Sequence, residues 1–150
     1  MDLILWRHAE AEDGVPDLER RLTAKGQKHA ARMAEWLLQR LPAKFTVLTS
    51  PALRALATAE ALGVPVRTVD ALAPGASVRS VLEAAGWPER KSAVVVVGHQ
   101  PYLGRVAAFV VSGQEASWSV KKGGLWWLSD RVREEGAQVV VRAVVTPDFV

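Results

Sequence analysis

Four residues carry side chains suited to phosphoryl chemistry: Arg7 and His8 side by side, then Arg54, then His99. A neutral imidazole nitrogen is a nucleophile near pH 7, and a guanidinium offers a planar fork that matches phosphate oxygens two at a time. Flanking cations disfavour a further positive charge, so Arg7 and Arg54 should depress the pKa of His8 and keep a ring nitrogen free to attack phosphorus. His99 would then hydrogen-bond the equatorial oxygens and stabilise the charge spread over them. The chain holds no cysteine and only three histidines, which removes thiolate nucleophiles and Cys-ligated metals and leaves imidazole as the covalent candidate.

These residues are far apart in sequence, with 46 positions from His8 to Arg54 and 45 from Arg54 to His99, so the fold must bring them together. Short β-branched apolar runs alternate with longer amphipathic stretches, the pattern of an α/β protein with a largely parallel sheet. Strands are expected at Leu3–Trp6, Thr46–Thr49, Val66–Val69, Ala93–Val97, Gly124–Ser129 and Val139–Val145, the last two as an edge hairpin. Helices are expected at Ala24–Leu41 with Thr23 as cap, from Ser50-Pro51 to Gly63, at Ser77–Ala85 and at Leu103–Val111, with a loop from Arg7 to Leu22. Ala93–Val97 is apolar throughout, as a central strand buried on both faces would be. Arg7-His8, Thr49-Ser50 with Arg54, and Gly98-His99 each follow a strand, and in such sheets the ligand crevice lies at the strands' carboxyl ends. The helix N-termini after Ser50 and Gln100 should add backbone N–H groups facing an anion.

Five segments then resemble the histidine phosphatase superfamily, and within it the short phosphohistidine phosphatases of the SixA type. They are Leu5–Ala11 with its Arg-His-Ala, Arg20–Gly26, Thr49–Ala55, Leu72–Gly75 and Val96–Pro101, in the family's order along about the whole chain. The resemblance implies a three-layer α/β/α sandwich with a mostly parallel sheet, of the phosphoglycerate mutase-like kind. It implies His8 as the phosphorylated nucleophile, Arg7, Arg54 and His99 as the phosphate pocket joined by Gly98 and Gln100, and Arg20 as a further basic group reaching the phosphate or the substrate. Mutase-like members place an acidic general acid between the second helix and the buried strand, where this chain has only Leu72–Ser77. Protonating a departing oxygen is commonly worth about 10²–10⁴-fold, so its absence favours phosphohistidine over alkyl phosphates. Glu10 and Glu12, and with them Asp13 and Asp17, are the remaining proton donors in the loop after His8.

The expected activity is a metal-independent and cofactor-free hydrolysis of phosphohistidine in a protein. The alternatives are a phosphatase for a small phosphorylated metabolite and a non-catalytic phosphate-binding module on the same fold. With 150 residues, 49% hydrophobic and 23% charged, a single domain over 1–150 is expected. A net charge of +3 with scattered arginines argues against nucleic acid. The apolar start before Arg7 is too short for a signal peptide and no run spans a bilayer, so a cytoplasmic protein is expected. Plainer roles compete: an Arg54–Glu60 ion pair, a solvated helix face for His29, and core packing for Trp6, Trp36 and Trp87. The tandem Trp126-Trp127 should leave one ring exposed, and Lys121-Lys122-Gly123-Gly124 reads as a turn whose lysines neighbour the pocket mouth.

Overall fold

A computed structural model describes residues 1–134 and 136–150, with only the backbone of Arg133. Its frame is one six-stranded sheet built from β1 (Asp2–Arg7), β2 (Phe45–Thr49), β3 (Arg67–Thr68), β4 (Ala93–Gly98), β5 (Leu125–Arg133) and β6 (Gly136–Val145), in the order β3-β2-β4-β1-β5-β6. The pairs β3–β2, β2–β4 and β4–β1 are parallel, whereas β5 and β6 continue antiparallel from β1. β4 is buried at every residue, which its unbroken valine run permits.

Alternation along the strands sorts the core into two layers. Leu3, Leu5, Val94, Val96 and Leu128 face α3 (Val78–Ala85) and α4 (Tyr102–Ser112). Ile4, Trp6, Val95, Val97 and Trp127 face α1 (Ala24–Leu38) and α2 (Leu53–Glu60) on the other side. The result is the three-layer α/β/α sandwich. Among the described residues no helix is long and apolar enough to cross a membrane.

The loop expected after His8 is present, and three other local expectations need correction. The loop after His8 carries a single 3-10 turn at Asp17–Glu19 and a one-residue bridge between Ala11 and Leu22. α2 starts at Leu53 rather than at Ser50-Pro51, because Ser50 Oγ accepts the Ala52 N–H and holds the preceding residues in a turn. α1 ends at Leu38, three residues early. Neither tandem tryptophan is exposed: Trp127 is in the core, and Trp126 stacks on Trp118 at 5.3 Å, a covering partner delivered by the loop after α4.

Candidate active site

Three parallel strands end in step, and this registers the site. Arg7 pairs with Gly98 across β1 and β4, and Thr49 pairs with Val97 across β2 and β4. Past those pairs the His8 N–H donates to Gly98 O at 3.0 Å and the Ser50 N–H to Val97 O at 3.0 Å. His8, Ser50 and His99 therefore emerge together, with the two imidazole centroids 5.3 Å apart. A Cβ on Gly98 would lie 1.9 Å from Tyr102 Oη, so the glycine lets α4 pack against the strand end.

All three key side chains are buried: His8 is 7% exposed, Arg54 4% and His99 3%. Burial first, with Arg54, Arg7 and Arg20 adding to it, pushes the His8 pKa down to about 4 against the opposing effect of its hydrogen bond to Ala9. For His99 burial again leads, followed by the charges around it, and the pKa falls to about 3. Both rings are neutral at pH 7. His8 Nδ1 lies 2.7 Å from Ala9 O, a pure acceptor, so Nδ1 carries the proton and Nε2 holds the free lone pair. His99 Nε2 is 2.7 Å from Ser50 Oγ, and its Nδ1 is buried without a partner.

Three residues of the site also carry unpartnered nitrogens. Arg7 Nε, Arg54 Nε and His99 Nδ1 are buried with no hydrogen bond among the described residues. Leaving a buried polar group unpaired costs roughly 1–3 kcal/mol, and an oxyanion would satisfy such donors. Burial also pulls Arg7 below its ordinary pKa, while its Nη1 donates to Val120 O at 2.9 Å.

Arg54 and Arg20 are gathered by one residue, Asp17. Arg54 donates from Nη1 to Asp17 O at 2.8 Å and from Nη2 to Asp17 Oδ2 at 3.2 Å, and Arg20 Nε reaches Asp17 Oδ1 at 3.1 Å. Arg54 is thus paired with Asp17, not with Glu60. Desolvation raises the Asp17 pKa, but hydrogen bonds and charge from Arg54 and Arg20 outweigh it and hold the carboxyl below its ordinary value. Asp17 is an ionised acceptor and no proton donor. Arg20 also donates to Glu12 O at 3.1 Å and sits at the pocket's edge through Asp17.

Several expected contacts take another form. Gln100 turns its side chain inward: Oε1 accepts the Gly104 N–H at 2.7 Å and Nε2 donates to Trp118 O at 2.9 Å. With Leu103 N–H on His99 O and Arg105 N–H on Pro101 O as well, the first turn of α4 has its donors largely used, so side chains rather than that helix terminus face the pocket. Glu12 faces away, into outer grooves. Glu10 lines a cleft beside Arg7, its carboxylate accepting from Thr23 Oγ1 at 2.9 Å. His29 is half-buried in that same cleft, not on a solvated face.

Three supporting residues escape sequence reading. Thr58, one turn after Arg54 on α2, accepts the Ala9 N–H at 3.0 Å and donates to Arg54 O at 2.8 Å, tying the residue after His8 to the arginine's helix. Gly26 allows the Glu10 backbone to approach, since a Cβ there would lie 2.0 Å from Glu10 O. Tyr102 Oη donates to Leu72 O at 2.7 Å, fixing the strand-end loop. The i,i+4 spacing of Arg54 and Thr58 was a signal for the first, and the place of Gly26 in the Arg20–Gly26 segment a signal for the second.

Comparison with known proteins agrees with this geometry. The family pattern of the histidine phosphatase superfamily (branch 1) matches residues 3–73. A protein of Picosynechococcus sp. is 37% identical over 140 residues, covering 83% of this chain and 82% of that one. A solved candidate phosphohistidine phosphatase SixA from Nakamurella multipartitia superimposes with a TM-score of 0.79 at 30% identity, over 97% of this chain and 95% of the other. The protein histidine phosphatase SixA complexed with tungstate gives a TM-score of 0.83 at 26% identity, over 99% of both chains.

Proposed function

The chain belongs to the SixA-type branch of the histidine phosphatase superfamily, and from that premise we propose that it hydrolyses phosphohistidine in a protein through a phosphorylated His8. The observation that carries the reading is the state of His8: neutral, with Nδ1–H fixed on Ala9 O and Nε2 unpaired beside the unpartnered nitrogens of Arg7, Arg54 and His99. The tungstate bound by the SixA relative is a tetrahedral oxyanion like phosphate, which supports the same use of the pocket here.

In the proposed reaction the His8 Nε2 lone pair forms a bond to phosphorus while the bond to the leaving nitrogen breaks. A phosphohistidine ring protonated on its other nitrogen takes that electron pair and departs as neutral imidazole, so no strong protein acid is required. Arg7, Arg54 and His99 share the charge on the three equatorial oxygens. Water then attacks phosphorus, the P–Nε2 bond breaks, phosphate leaves with a proton released, and His8 returns neutral. Of the two glutamates, only Glu10 lines the cleft beside Arg7, and there its carboxylate accepts the Thr23 hydroxyl. No step calls on a metal, so chelator should leave the rate unchanged.

Mixing the protein with a phosphohistidine-bearing protein and recording intact mass by rapid quench tests this directly. A transient gain of one phosphoryl group on His8, with release of phosphate, is expected. A protein that turns over neither phosphohistidine nor aryl phosphates, and never carries the label, would overturn the reading.

A further inference from the structure

A cleft of about 450 Å³ opens beside the phosphoryl pocket and shares Arg7 with it. That volume suits part of a small ligand. Its charged lining is Arg7, Lys25, Lys121 and Lys122 against Glu10 and Asp148. The two carboxylates are engaged, Glu10 by the Thr23 hydroxyl and Asp148 by the Thr146 hydroxyl, with Lys121 and His29 near Asp148. Four cationic side chains against two carboxylates leave the cleft cationic on balance.

The turn bearing Lys121 and Lys122 is not a loose appendage. Arg7 Nη1 donates to Val120 O, the Gly123 N–H donates to His8 O at 3.0 Å, the Arg7 N–H donates to Gly124 O at 2.9 Å, and Trp6 Nε1 donates to Gly123 O at 2.9 Å. Gly123 adopts φ +76°, the left-handed conformation that glycine takes without strain. The backbone that carries two exposed lysines is thus fixed in register with the backbone of His8 itself.

We propose that this cleft is a second anion subsite, which takes a carboxylate or phosphate group carried by the same substrate whose phosphoryl group meets His8. Lys121 and Lys122 are its specificity-determining residues. The inference rests on the reading of the His8 pocket as the phosphoryl site, and it names what the rest of the substrate looks like: anionic close to the transferred group, whether as an acidic side chain flanking a phosphohistidine or as a second anionic group on a small molecule.

The test compares phenyl phosphate with 3- and 4-carboxyphenyl phosphate, for the wild type and for the variant Lys121→Gln/Lys122→Gln. Intrinsic leaving-group reactivity cancels in the ratio between the two proteins. The wild type should prefer at least one carboxylated ester in kcat/KM, and the variant should lose about five- to tenfold of that preference while hydrolysing phenyl phosphate as before, as expected for two solvated lysine contacts. Calorimetry with the non-hydrolysable phenylphosphonate and its carboxylated analogues gives the same comparison without turnover. Turnover with no preference in either the ester series or a pair of phosphohistidine peptides flanked by Glu or by Ala, or a preference unchanged in the variant, overturns the subsite. Preferential binding of the carboxylated phosphonates without any turnover overturns the phosphatase reading and leaves the subsite standing. A parallel pair of phosphohistidine peptides, flanked by Glu or by Ala, assigns the second anion: a Lys-dependent preference among peptides alone places it on a protein, and among small esters alone places it on a metabolite.

Discussion

The phosphoryl pocket and the lysine cleft are neighbours of the same charge sign, built by opposite physics. In the pocket His8, His99 and Arg54 are buried, their partners are fixed, and burial itself sets the protonation state of both imidazoles. In the cleft Lys25, Lys121 and Lys122 are exposed and solvated. A buried cation meets its anion in a low effective dielectric and with little freedom to lose, whereas a solvated one gains little from each contact and is screened by salt. The first arrangement suits chemistry and the second suits selectivity. The difference also shows how a chain of nearly balanced charge can hold a strongly cationic place.

The sharpest way to separate the two regions is to remove the nucleophile. His8→Ala should lower turnover by at least about 10³-fold while leaving tungstate or phosphate binding largely intact, as calorimetry would show. Retained turnover would move the nucleophile elsewhere. Next in size, Arg54→Ala should lower kcat/KM by about 10²–10³-fold, the scale of removing one preorganised charge donor, with Arg54→Lys recovering only part because the fork is lost.

Acid should act on the pocket through its nucleophile candidate. Activity should fall about tenfold per pH unit below about 4, where His8 gains its proton. Stability responds over a different window. The folded His8 and His99 values, about 4 and about 3, lie below the ordinary 6.5, so the unfolded chain binds more protons in between. Stability is thus at its full value above 6.5, declines as pH falls through the interval, and levels off below the folded values. Urea melts at stepped pH should show that decline, and His8→Asn should make it shallower.

A smaller effect is expected at the seam. Asp17→Asn keeps the shape but removes the charge that gathers Arg54 and Arg20, and should cost about tenfold in kcat/KM. Recovery in Asp17→Glu would mark a positioning role; equal loss in both would point to simple local unfolding. Smallest of all, raising salt should erode the preference for doubly anionic esters more than it slows phenyl phosphate, because only the cleft is solvated.

Much of this was legible along the chain. The β-branched runs, the all-apolar Ala93–Val97 and the placement of Arg7-His8, Arg54 and His99 after strands fixed the architecture and the main members of the pocket, because strand alternation and strand-end chemistry are local properties. Gln100 shows where such reading stops. The resemblance implied it as a phosphate ligand, yet its side chain caps α4 and holds Trp118, and nothing in its neighbours' sequence says so. Asp17 was one carboxylate among five in the loop, and its role exists only because α2 brings Arg54 to it across 37 positions. His29 looked solvated from its own helix, but the closing Thr146–Asp148 segment and the Lys121-Lys122 turn wall it into the cleft.

By itself the sequence determined which side chains could do the chemistry and which strand ends would carry them, since composition and periodicity act over a few residues. Only the tertiary structure decided their states: that His8 is neutral with Nε2 free, that Asp17 is ionised, and that the backbone carrying two lysines stands in register with the nucleophile. Those states depend on burial, on a carbonyl 2.7 Å away and on hydrogen bonds spanning more than a hundred positions, and such long-range desolvation and pairing leave no local pattern to read.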